Sequence, residues 1–148
     1  MGKLKLLVIH CTDTPANREV YKKDIEKWHL KERGWSRVGY SDLVQLDGKI
    51  VNLVEFDQDD TVDPWEITNG ARGFNGISRH VVYSGGANGI DTRTQAQKYS
   101  LEIYVKYMIL RHPGLKVIGH NHISKKHCPS FNVNMWLHSI GITNKNLG

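Results

Sequence analysis

Apolar residues run almost unbroken from Leu4 to Ile9 and stop at His10, where a turn-rich Cys-Thr-Asp-Thr-Pro follows. Such a run predicts a strand covered on both faces. Tyr21, Ile25 and Trp28 then recur at helical spacing before Gly34, which predicts an amphipathic helix over roughly 20–33. Between Gly39 and Phe56 two short β-prone runs flank Asp47-Gly48, a two-residue hairpin signal. Residues 57–77 are rich in turn formers and read as a long surface loop, the kind that presents a binding wall. The stretch RHVVYSGG (79–86) reads as another strand entering a glycine-rich turn. Thr94 is placed to cap a helix ending near 111, with Ala96, Tyr99, Ile103, Tyr107 and Leu110 on one stripe. After His112-Pro113-Gly114, residues 116–120 form a short strand that, like the first, ends in histidine. Residues 132–140 suit a final short helix, and the tail TNKNLG is expected to fray.

The order β-α-β-β-loop-β-α-β-α predicts one α/β domain over 1–148, with a core of about 4–140. Its architecture is a mixed central sheet flanked by helices. If the first and last strands run parallel, His10 and His120 project from the same sheet edge, where open sheets place ligand sites in a groove. A chain of 148 residues can bury such a core without staples. No run of 18 apolar residues predicts a membrane span. The apolar stretch at the N-terminus is also shorter than that of a secretory signal. Cys11 and Cys128 make no disulfide framework, and a reduced compartment leaves Cys128 free to be a ligand or a nucleophile. The net charge of +5 favours an anionic partner such as nucleic acid, an acidic membrane or a wall polymer. However, the cations are interspersed with acids and lack the aromatic interleaving of nucleic-acid binders. Charge steers here without identifying.

The chemistry concentrates in GHNHISKKHCPSF, residues 119–131. Imidazole nitrogen and thiolate sulfur are zinc donors, and catalytic zinc sites use three protein ligands with a fourth position open. His10, His120 and Cys128 would make such a set. His122, two residues beyond His120, is a rival ligand. His127 and His29 read as solvent-facing or packing residues, and Cys11, adjacent to His10 on a strand, as core. A second chemistry makes Cys128 a nucleophile with His10 or His120 as base. It needs an orienting Asp or Asn and an oxyanion hole, and neither has a local signature.

Three stretches, LLVIHCT, GYSDLVQLDGKIV and GHNHISKKHCPSF, together resemble the zinc-dependent N-acetylmuramoyl-L-alanine amidases. This family includes the amidase-type phage lysozymes and shares its fold with peptidoglycan-recognition proteins. The resemblance covers roughly residues 4–137, with the motifs in the same order. It implies that His10, His120 and Cys128 hold zinc, that Lys126 is the catalytic lysine with Lys125 as its neighbour, and that Tyr40 is the catalytic tyrosine. The implied reaction is hydrolysis of the amide between N-acetylmuramic acid and L-alanine in peptidoglycan, by a monomeric phage or prophage endolysin. The enzyme would accumulate in the host cytoplasm before lysis and act on the wall. A non-catalytic peptidoglycan-binding module is the alternative, and the resemblance to phage lysozymes also allows a phage RNA polymerase as partner. Two departures bear on substrate contacts. Ser41 and Gly70 stand where relatives carry histidine, and the acidic 57–60 stretch is expected in the groove-side loop.

Overall fold

A computed structural model describes residues 2–148. Strand β1 (Gly2–Lys3) pairs antiparallel with β5 (Thr61–Val62) in a small separate ribbon. The main sheet has five strands: β2 (Leu6–Cys11), β3 (Asp42–Val44), β4 (Ile50–Asn52), β6 (Ser78–Tyr83) and β7 (Lys116–Gly119). Their order is β4-β3-β6-β2-β7, with β3 and β4 antiparallel and the other neighbours parallel. The expected mixed sheet is therefore present, and the first long strand lies between two late ones.

Alternation along β2 divides its residues between the two faces of the sheet. Leu7, Ile9 and Cys11 join Val81 and Tyr83 on one face. They are covered by helix α2 (Gln95–Arg111) and helix α3 (Val133–Ser139). The other face packs Leu43, Val82 and Leu53 against Ile25 and Trp28. These belong to α1, which is α-helical over Lys22–Glu26 and continues as a π-helix over Lys27–Glu32. Among the described residues, no helix is long and apolar enough to cross a membrane.

Several sequence expectations are corrected. The α2 stripe is reversed: Tyr99, Ile103, Tyr107 and Leu110 are exposed, and Gln97, Leu101, Val105 and Met108 are buried. Apolar residues surround this helix, so spacing alone does not select a face. The buried stripe begins with a glutamine whose Nε2 donates to the carbonyls of Val44 and Ser84 (3.3 and 3.0 Å), which makes its burial tolerable. The hairpin connection is longer than two residues. Gly48 N–H donates to Gln45 O (2.9 Å), and Gly48, at φ +87°, takes the left-handed position that only glycine adopts freely. The tail does not fray. Asn146 is buried and donates to Pro113 O and Leu115 O (2.9 and 2.8 Å), and Leu147 bridges to Val117.

The 57–77 segment is only partly a surface loop, because Val62, Glu66 and Thr68 are buried. Its acidic 57–60 end does not line the groove at His10. Asp60 O accepts from Leu4 N–H (2.7 Å) before β2 begins, and its carboxylate pairs with His112 after α2 (2.7 Å). Both contacts lie at the end of the sheet away from His10, because the chain must run the length of β2 to reach that residue.

Candidate metal centre

The parallel register explains how residues far apart in sequence converge. Ile9 is paired with Gly119, so the next residues along the two strands, His10 and His120, lie side by side with ring centroids 4.7 Å apart. Cys128 returns on the loop after β7. Its Sγ accepts from Cys11 N–H (3.1 Å) and lies 3.7 Å from His10 Nδ1. The next turn of this loop is pinned from below: Tyr83 O–H donates to Pro129 O and Ser130 O–H to Gly86 O, both at 2.7 Å. One ligand atom from each of His10, His120 and Cys128 falls within a group spanning 4.8 Å. Two imidazoles and a sulfur at that separation suit a borderline-soft divalent cation such as zinc.

His122 is not part of this group. Its Nδ1 accepts from Gly119 N–H (3.1 Å), and it lines a different surface hollow with Asn121 and His127. The next residue along the parallel pair, His120, takes the place beside His10. His127 is half exposed and within 3.1 Å of Asp13. Cys11 does belong to the core, although it also borders the groove.

The electrostatics follow from depth. Burial, then the neighbouring His80, His120 and Lys126, hold His10 well below the ordinary histidine range, so the ring is a neutral donor. Burial and then Lys126 lower His120 as well. The side-chain hydrogen bond with Cys11, followed by burial, pushes the metal-free Cys128 thiol up, whereas Lys126 acts in the opposite direction. Tyr40 lies 5.0 Å from the His10 ring, centroid to centroid. Burial, then the two cysteines, raise its phenol, which keeps its proton as a hydrogen-bond donor.

These groups surround an open groove of about 560 Å³. Lys125, Lys126 and Arg33 make its walls basic, and Trp35 and Asn69 complete them. Ser41 is buried and takes no part in the wall. Gly70 does line it, and the reason for glycine is steric. A Cβ at 70 would lie 2.5 Å from His80 Nδ1 and 2.6 Å from Gly39 O. The space beside residue 70 is filled by an imidazole from β6.

His29 is a packing residue of the groove. It is buried, its Nδ1 accepts from Gly39 N–H (2.9 Å), and its ring lies against Trp35 and Tyr40. Burial, then the Arg33 charge, lowers its pKa from 6.5 to about 4. Between those two values the unfolded chain binds the proton and the folded one does not, so stability falls as pH drops through that window. The shift corresponds to at most about 3 kcal/mol. Urea unfolding of His29→Gln should therefore show a shallower loss of stability from pH 7 to pH 4 than wild type. Equal slopes would refute the assignment.

An open α/β sheet with three metal-type donors at one edge, beside a lysine and a tyrosine, defines a candidate metallohydrolase. The family model described as N-acetylmuramoyl-L-alanine amidase matches residues 1–131, and the chain belongs to that family. It is 30% identical over 137 residues to the endolysin of Escherichia phage T7, covering 88% of this chain and 83% of that one. The endolysin of Klebsiella phage KP32 is 29% identical over the same coverage. Among solved structures, the fold is shared with the Ph2119 endolysin from Thermus scotoductus MAT2119 bacteriophage Ph2119. That match has a TM-score of 0.77 and 20% identity, over 97% of this chain and 88% of that chain. Amidase LysC from Clostridium intestinale URNW (TM-score 0.76, 20% identity, 95% and 87% covered) and Drosophila PGRP-LB (0.72, 20%, 97% and 85%) share it too.

Proposed function

We propose that the protein hydrolyses the amide between the lactyl group of N-acetylmuramic acid and L-alanine in bacterial peptidoglycan, as a zinc-dependent phage-type endolysin. The observation carrying this reading is the convergence of His10, His120 and Cys128 in a groove that also holds Tyr40 and Lys126, within a chain of the amidase family. His10 Nδ1, His120 and Cys128 Sγ would hold the metal, leaving one side open toward the groove. Zinc bound there supplies Lewis acidity, lowering the pKa of water to about 7 and polarising a carbonyl.

The chain's own residues account for the rest. Lys126 brings positive charge to the place where an oxyanion develops as the amide carbon becomes tetrahedral. Tyr40 donates a hydrogen bond from a phenol kept neutral by burial, which orients the scissile amide. The departing L-alanine amine needs a proton, and Tyr40 and Lys126 each carry one beside the cluster. The basic walls attract the carboxylates of stem peptides. An enzyme with this substrate acts at the wall, reached from the host cytoplasm through a membrane lesion or after lysis.

Release of L-alanine amino termini from purified peptidoglycan tests the reaction. Activity abolished by a chelator and restored by zinc is expected, and turnover indifferent to chelation would overturn the reading. The two lysines separate in the same assay. Lys126→Ala should retain zinc and lose about 100- to 1,000-fold in turnover, the scale of a lost oxyanion donor. Lys125→Ala should stay near wild type. Equal losses at both positions would reduce Lys126 to a general wall charge.

A further inference from the structure

His80 lies in the interior of β6, with no exposed surface, and has no role in the proposed reaction. Its two ring nitrogens are both engaged. Nδ1 is 2.8 Å from His10 Nε2, and Nε2 is 3.1 Å from Asn75 Oδ1. The polarity of this chain can be read from its far end. Ala71 N–H donates to Asn75 Oδ1 (2.9 Å), so that atom is an acceptor. His80 Nε2 must then carry the proton and donate it, and its Nδ1 is left as a lone pair. That lone pair accepts from His10 Nε2–H. His10 is left with its own lone pair on Nδ1, the nitrogen 3.7 Å from Cys128 Sγ.

We propose that His80 is a positioning residue for the metal centre: anchored by Asn75, it holds His10 in the one tautomer and ring orientation that turns Nδ1 toward the cation. Metal-bound histidines commonly donate their second N–H to a carboxylate, carbonyl or water. Here the acceptor is a second imidazole, supplied by the adjacent strand. Gly70 is the steric counterpart, because any Cβ there would strike His80 Nδ1.

The inference rests on the metal reading, and two measurements keep their failures apart. The first is nitrogen-15 NMR of the imidazoles in metal-free wild type, which reads the tautomer without any cation. It should find His10 protonated on Nε2 and bare on Nδ1, and a proton on Nδ1 would overturn the proposal whatever the metal does. The second is zinc affinity by competition with a chromophoric chelator, with cobalt substituted for its absorption spectrum. His80→Ala should weaken metal binding by about 10- to 100-fold and alter the cobalt spectrum. His80→Gln, which keeps an acceptor, should recover most of the affinity. If folded His80→Ala binds zinc with wild-type affinity, no acceptor is needed and the proposal fails. If wild type itself binds no zinc, the metal reading fails, while the tautomer measurement still decides what His80 does.

Discussion

Replacing Cys128 by serine should strip the protein of zinc and of hydrolytic activity together, while leaving the fold standing. The thiolate is the only soft donor in the cluster, and a serine hydroxyl is a poor ligand at neutral pH. Metal affinity should fall by more than about 100-fold, the upper scale for removing a mere outer-shell partner. Stability of the metal-free protein should change by only about 1 kcal/mol. Cys128 Sγ accepts Cys11 N–H, a bond that a serine oxygen can also accept. Zinc content after gel filtration, with amino termini released from peptidoglycan, checks both halves. A serine variant that holds zinc and cleaves normally would remove Cys128 from the centre. It would also leave the nucleophile reading of Cys128 without support.

The largest stability effect is expected outside that cluster. Arg79 and Glu66 are each 1% exposed and meet at 3.1 Å. Glu66 also accepts the N–H groups of Asp57 and Asp63 (2.7 and 2.8 Å), which ties the 57–66 segment to the start of β6. Among the described residues, Arg79 Nε and Nη1 have no hydrogen-bond partner, and its guanidinium stacks over Phe56 at 4.6 Å. Removing the carboxylate leaves a buried cation without compensation, so Glu66→Ala should cost about 3–5 kcal/mol. The double variant Glu66→Gln/Arg79→Met removes both charges and should recover much of that loss. Denaturant unfolding measures each, and a single-variant cost under about 1 kcal/mol would show that the pair is not what anchors this segment.

The convergence of the three donors was legible because the signals were local. Each of two apolar runs ends in a histidine, and parallel pairing of those runs is enough to bring His10 and His120 together. Cys128 and Lys126 come from one short stretch, and the family motifs single out Tyr40. His80 was not legible, since inside RHVVY it looks like one more residue of a buried strand. A signal was available, namely a histidine in the middle of a strand, directly before the apolar Val81 and Val82. The stripe on α2 failed for a different reason. Leu101, Val105 and Met108 compete with Tyr99, Ile103 and Tyr107 at the same helical period, and the pattern along the chain does not show that the inward set has the carbonyls of Val44 and Ser84 to receive Gln97. The docked tail depended on Asn146 finding two carbonyls near the end of α2, and pattern along the chain carries no trace of such distant contacts.

The placement of β2 between β6 and β7 also sets a timetable. Val8 pairs with His80 on one side and with Ile118 on the other, so the earliest long strand waits for partners made much later. Parallel contacts of such long sequence separation close slowly. A ribosome-bound chain halted before Cys128 carries at most part of the donor set, whatever else of it has folded. Zinc capture would then mark the moment at which the last strand and its loop have docked, and it gives a refolding experiment an endpoint tied to completion of the sheet.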